Sequence, residues 1–417
     1  MNEIEKLIQE LCPDGVEYRR LGEIFDSFNG MSGVSDKWKE TGNCRFIDYL
    51  NVYNNINVDV NKLENATVKS MQQNSLKKGD ILLTCASETP DECALSSVIR
   101  DEIQEGVFLD DHLFAIRIKE EYKENVDTAF LNYFMHTSSF RVQVCKKVRG
   151  VTRFYITGKT FMSLEIPLPP ITIQEKIVEI LDKFTSLEAE LEAELEARRK
   201  QYEYYREKLL TFSPDDENVR WATLGEIGTF TRGNGLQKKD FTESGIPCIH
   251  YGQIYTQFKT FTTKTLSYCS VETAKKLVKA KRGDLVIATT SENVEDVCKA
   301  VVWLGDEDIV TGGHSCVYSH NQDPKYIGYF FQTEQFFSQK KKYAKGVKVI
   351  DIKVSDLEKI SIPLPPLSEQ RRIVEILDRF EALTNDLQAG LPAEIAARRQ
   401  QYEYYREKLL TFKRKTV

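Results

Sequence analysis

The chain has 417 residues, 41% of them hydrophobic and 29% charged, which fits two globular domains of ordinary size and excludes a disordered or fibrous protein. No apolar run reaches the roughly 18 residues needed to cross a bilayer, and the acidic, amphipathic start MNEIEKLIQE is unlike a secretion signal; the expected address is cytoplasmic, with no membrane partner. A net charge of −6 argues against nucleic acid only if the charges are evenly spread, and they are not.

In chain order, residues 1–15 read as a short helix and 16–170 as a first mixed domain, with β-rich runs such as Asp80–Thr84 and one helical stretch near 128–140. The IPLPP segment at 166–170 holds the chain extended, because each proline lacks a donor and restricts its predecessor. A long helix is predicted over 171–213, opened by a capping box of Thr172 and Glu175. Its coiled-coil seam takes Ile177, Ile180, Phe184, Leu187, Leu191, Tyr202 and Tyr205. A second mixed domain covers 214–366, with a β-rich run at Asp284–Ile287 and a helical stretch near 324–338. After a second IPLPP at 362–366, another long helix runs over 367–412 with Ser368 as N-cap. Its seam takes Ile373, Ile376, Phe380, Leu383, Leu387, Tyr402 and Tyr405, and residues 413–417 form a tail. Gly390 and Pro392 predict a kink or break near 390.

Self-similarity organises these elements. QYEYYREKLLTF occurs at 201–212 and 401–412, IVEILD at 177–182 and 373–378, and LGEI at 21–24 and 224–227. A Lys/Arg-Gly-Asp step opens an apolar run at 78–80 and 282–284, so the chain is a tandem duplication of about 200 residues. The spacer segments nearly match, whereas 25–150 and 228–346 share little beyond punctuation. Matching segments imply one job done twice; divergent ones imply two jobs of one kind.

Each half carries a basic strip just before IPLPP. Arg141, Lys146, Lys147, Arg149, Arg153 and Lys159 form the first, with Thr152 among them, and Lys340, Lys341, Lys342, Lys345, Lys348 and Lys353 form the second. Strips at matching places in divergent domains point to a shared polyanion, and phosphate backbones are the usual one. Candidates for base contact in the second half are Arg232, Asn234, Gln237, Lys238, His250, Tyr251 and Gln253; the first half offers Asn29, Ser32, Ser35, Lys37 and Trp38. No catalytic constellation can be assembled. The five histidines lack metal-ligand spacing, the nine cysteines include no CxxC pair and are expected to be reduced, and no phosphate loop or amino-methyltransferase motif occurs.

Divergent domain, IPLPP and long helix, taken twice, resemble the specificity subunit of type I restriction–modification systems. The residues that carry the resemblance are IPLPPITIQEKIVEILDKF at 166–184, IPLPPLSEQRRIVEILDRF at 362–380 and the two ARRxQYEYYREKLLTF ends. The resemblance implies an α+β chain in which two mixed α/β target-recognition domains are separated by two long helices forming an antiparallel coiled coil, a pseudo-twofold internal repeat. It implies a bipartite double-stranded DNA site, two methyltransferase subunits docked on the conserved regions and motor-nuclease subunits joining them. S-adenosylmethionine, ATP and magnesium would bind those partners, leaving this chain non-catalytic and without cofactor or metal. The residues alone also admit a scaffold whose two domains bind proteins rather than DNA.

Overall fold

The structure, a computed structural model, describes residues 3–415 except Lys39 and 386–388. The chain forms two compact units, the first made of Met1–Leu191 with Ile395–Val417 and the second of Glu192–Glu394.

Each unit is built on a sheet of the same strand order. In the first, Phe25–Asn29, Leu113–Ile118, Ile81–Thr84 and Ser96–Val98 follow one another, antiparallel throughout. In the second, Gly228–Arg232, Ser315–His320, Leu285–Ala288 and Ala300–Trp303 repeat the order, and Phe261–Thr262 adds a parallel edge strand. The central strand reads as an unbroken apolar run because both its faces are covered. Ile81 and Leu83 pack into one core and Leu82 into another, as Leu285 and Ile287 do opposite Val286. The Lys/Arg-Gly-Asp step is the turn that launches this strand: Asp80 Oδ2 accepts the Lys77 N–H at 2.8 Å and Asp284 Oδ2 the Lys281 N–H at 2.7 Å.

The first proline of each IPLPP, Pro167 and Pro363, sits in a two-stranded ladder, Glu165–Leu168 against Glu17–Arg20 and Ser361–Leu364 against Arg220–Thr223, where a missing donor is tolerated. Helix α1 then spans Ile171–Leu210, while the second long helix is two, α2 (Leu367–Asn385) and α3 (Leu391–Leu409), in keeping with the break anticipated near Gly390. The anticipated N-caps are corrected. Thr172 and Ser368 are exposed residues inside the first turn, and the carbonyls of Pro170 and Pro366 accept the first helical N–H bonds. The polar groups at each helix start are satisfied instead by a buried glutamine. Gln174 donates to Pro169 O at 2.7 Å and Asn125 O at 3.0 Å and accepts the Asp127 N–H at 2.9 Å. Gln370 likewise donates to Pro365 O at 2.9 Å and accepts the Asp323 N–H at 3.1 Å.

Within the first unit α1 runs antiparallel to α3: Phe184 stacks on Tyr405 at 5.4 Å and Glu188 pairs with Arg399. Within the second, the later part of α1 runs antiparallel to α2, with Tyr205 stacked on Phe380 at 5.5 Å. Burial along α1 falls on Ile177, Leu181, Phe184, Glu188, Leu191, Leu195, Arg198, Tyr202, Tyr205 and Leu209, alternating steps of four and three. The seam placed through Leu187 and Leu383 is therefore wrong, since they are 45% and 38% exposed. Successive steps of four rotate about 40° each around the helix, so a run of LEAE tetrads cannot stay on one seam. Ile180 and Ile376 are half-buried beside it, Ile373 and Tyr402 are buried in it, and Leu387 lies outside the described residues.

The identical dodecapeptides do identical work, each in its own unit. Tyr202 and Tyr402 are both 7% exposed, and Arg206 and Arg406 lie 5.4 Å from those ring centroids. Glu207 accepts the Glu334 N–H at 3.0 Å, and Glu407 accepts the Ser138 N–H at 2.9 Å. Those two N–H groups begin helices Glu334–Lys340 and Ser138–Cys145, each the second of a pair of short helices where the sequence suggested one.

Candidate nucleic-acid interface

In the first unit, helix Ser138–Cys145 delivers the chain into a hairpin. Arg149 and Tyr155 exchange backbone hydrogen bonds at 3.0 and 2.8 Å, and Phe154–Tyr155 pairs with Ala86–Ser87 at the edge of the domain. Gly150 has φ +125°, and a Cβ there would lie 2.0 Å from Arg153 O, so only glycine closes this loop. Lys146, Lys147, Arg149, Thr152 and Arg153 all stand exposed on or beside it. In the second unit Lys345 and Asp351 exchange the same bonds at 3.1 and 2.8 Å, and Ile350–Asp351 pairs with Thr290–Ser291. Gly346 has φ +124° with the same conflict against Val349 O, and Lys341, Lys342, Lys345 and Lys348 are exposed.

Beside the first hairpin lies a cleft of about 840 Å³ lined by Trp38, Tyr49, Leu50, Tyr53, His112, Thr152 and Arg153, among others. Tyr49 and Tyr53 stack at 5.7 Å on helix Tyr49–Asn54. Tyr53 and Ser87 each donate to Glu92 at 2.9 Å, which holds that carboxyl below its ordinary value and braces the cleft wall. Trp38 is 60% exposed at φ +55°, with the Lys37 ammonium 5.2 Å from its ring centroid. Asp110, Asp111 and His112 converge closely enough to suggest a metal group. The Lys37 ammonium occupies that position, 3.0 Å from Asp110 and in contact with Asp111.

The second unit repeats the framework with other side chains. Helix Tyr251–Thr256 carries Tyr251 and Tyr255 at the spacing of Tyr49 and Tyr53. Tyr255 donates to Thr290 O as Tyr49 does to Ala86 O. His314 precedes strand Ser315–His320 as His112 precedes Leu113–Ile118, and lies 5.1 Å from the Tyr251 ring. Here two glycines, Gly312 and Gly313, replace the acidic pair Asp110 and Asp111. Burial, and then the charges of Lys238 and His314, lower the His250 proton affinity, so His250 stays a neutral acceptor of the Gly252 N–H at 3.2 Å. Arg232, Asn234, Gln237 and Lys238 are exposed along and after the first strand of the sheet, and Tyr251 is half-buried.

Three expected contacts are corrected. Gln253 is used at both ends, accepting the His250 N–H at 3.0 Å and donating to Ser267 Oγ at 2.8 Å, so it caps a helix. Lys340, 4% exposed, donates to Glu295 O and Val297 O. Arg141 donates inward to the carbonyls of Asp91, Cys93 and Ala94. Each strip thus has an inward-bonded member anchoring the helix, half-buried Arg141 in one and buried Lys340 in the other, and exposed members beyond it. The Tyr49/Tyr251 and His112/His314 equivalences escaped the sequence reading; a Tyr-x-x-x-Tyr pair in each half was the available signal. All nine cysteines are free thiols, and no helix among the described residues is long and apolar enough to cross a membrane.

A family model described as the type I restriction modification DNA specificity domain matches residues 13–197 and again 217–397. The chain belongs to that family. It is 35% identical over 272 residues to the type I restriction enzyme EcoR124I/EcoR124II specificity subunit of Escherichia coli, a match covering 62% of this chain and 66% of that subunit. It is 32% identical over 307 residues to a putative type I restriction enzyme specificity subunit, S.HindORF215P, of Haemophilus influenzae, covering 70% and 74%. A solved structure described as the basis of complex assembly and conformational transition of the type I R-M system superposes with a TM-score of 0.64 at 16% identity over 95% of this chain and 97% of that one, which shows the shared fold. Membership makes this chain a type I DNA-specificity subunit, and its two matched segments correspond to the two sequence repeats.

Proposed function

We propose that each unit of this specificity subunit reads one half of a bipartite double-stranded DNA site through its glycine hairpin and the cleft beside it. The observation that carries the reading is the hairpin itself, built the same way in two otherwise divergent units and ringed by exposed lysines and arginines, with a cleft beside it in the first unit and a matching tyrosine and histidine framework of different side chains in the second. Lys146, Lys147, Arg149 and Arg153 in one unit, and Lys341, Lys342, Lys345 and Lys348 in the other, hold phosphates, which fix register without reading sequence. Thr152, Trp38 and His112, and in the second unit Arg232, Asn234, Gln237, Lys238 and Tyr251, face the bases.

The helical segments set the number of unread base pairs between the half-sites. The identical dodecapeptides, which leave Tyr204 and Tyr404 59% and 61% exposed, offer the same face twice and so suit two copies of one partner. That partner is the methyltransferase subunit, with motor-nuclease subunits joining the assembly in the cytoplasm. S-adenosylmethionine, ATP and magnesium serve those subunits, and this chain contributes no catalytic group. Methylated adenines mapped in the host genome define the site. Exchanging 16–165 for the equivalent segment of a relative changes one half-site only; a change in both, or binding without steep salt dependence, refutes the reading.

A further inference from the structure

Val151 and Val347 follow the hairpin glycines and are 89% and 96% exposed. Neither belongs to any core, and a threonine or serine would close the same loop, so the fold makes no use of them. They occupy matching positions after Arg149-Gly150 and Lys345-Gly346, at the tips of loops whose neighbours Arg153 and Lys348 are exposed cations. A β-branched apolar tip inside a cationic rim fits one class of surface, a polyanion with an apolar group recessed behind its phosphates. In duplex DNA that group is the thymine 5-methyl on the floor of the major groove.

We propose that Val151 and Val347 are specificity-determining residues, each making apolar contact with a thymine methyl in the half-site its own unit reads. The flanking cations draw the loop onto the backbone, and the valine then distinguishes a pyrimidine carrying the methyl from one lacking it. This inference rests on the DNA-reading function proposed above.

The test uses the chain assembled with its methyltransferase partners and a duplex carrying the mapped methylation site, beside an unrelated duplex. Thymines of each half-site are replaced one at a time by uracil, which removes only the methyl. Replacing the critical thymine is expected to weaken binding about fourfold, the scale of losing one buried methyl contact. Val151→Ala and Val347→Ala should each do the same, each for a thymine in one half-site, and combining the valine change with its own uracil should add nothing further. The proposal is overturned if no uracil substitution matters, if the losses multiply, or if the valine variants weaken the unrelated duplex equally. If the parent complex shows no preference for the mapped site, the DNA-reading function itself fails; if that preference stands and the valine variants keep it unchanged, only this inference does.

Discussion

Lys340 and its neighbours Lys341, Lys342 and Lys345 are adjacent in sequence and opposite in role, which gives a test with two separable outcomes. The Lys340 ammonium donates to Glu295 O at 2.8 Å and Val297 O at 2.6 Å, and burial lowers its affinity for the proton. Lys340→Met keeps an apolar stem beside the Phe336 and Phe337 rings but leaves two carbonyls without their donor. Bonds from a charged donor contribute about 1.5–3 kcal/mol each, partly offset because an ammonium is no longer buried. The expected net loss is about 2–3 kcal/mol in the second unit. Replacing Lys341, Lys342 and Lys345 by Ala removes only exposed side chains and should move stability by less than about 0.5 kcal/mol. If all three hold phosphates, the slope of log K against log salt for the assembled complex flattens by about 2.7. Urea unfolding of the chain and DNA anisotropy from low to moderate salt read the two effects. A Lys340→Met protein of unchanged stability, or a triple variant with the parental salt slope, refutes the assignment of roles.

His136 and His320 have proton affinities pushed down to about 4 by burial, so the folded chain keeps them neutral while the unfolded chain takes up protons below about 6.5. Their contribution is full above that pH and is lost as pH falls toward about 4, roughly 3 kcal/mol for each and about 2 of it by pH 5; urea midpoints from pH 7.5 to 5 should show the loss, and His136→Gln should reduce it. Gln370→Ala leaves the Asp323 N–H and Pro365 O unpaired and should cost about 2–3 kcal/mol, read as faster hydrogen exchange over 322–327; unchanged exchange would contradict the role given to the glutamine. Adding one LEAE tetrad after Leu191 lengthens α1 by about 6 Å, one or two base-pair rises of about 3.4 Å. Methylation mapping should find the same half-sites with a longer spacer, and full activity at the old spacing would show that the helix does not set the distance.

The sequence by itself determined the duplication, the α+β class, the long helices with their interruption near Gly390, the family and the place of the two basic strips. These are legible because helical period, proline restriction and a literal repeat are properties of neighbouring residues. What it could not determine was which groups meet across long separations. Thr172 and Ser368 have the local look of N-caps, yet Gln174 and Gln370 satisfy the helix starts by reaching Asn125, Asp127 and Asp323, some 47 to 49 residues away. The seam lost Leu187 and Leu383 because a local tetrad repeat drifts around the helix and only the partner selects the stripe that stays covered. Lys340 is indistinguishable from Lys341 as a residue type, but the helix turns one toward the Glu295 and Val297 carbonyls and the other toward water. Tertiary structure also matched Tyr49 with Tyr251 and His112 with His314, because an equivalence between diverged segments lies in backbone position, which the strand order of the sheet fixes and residue identity does not.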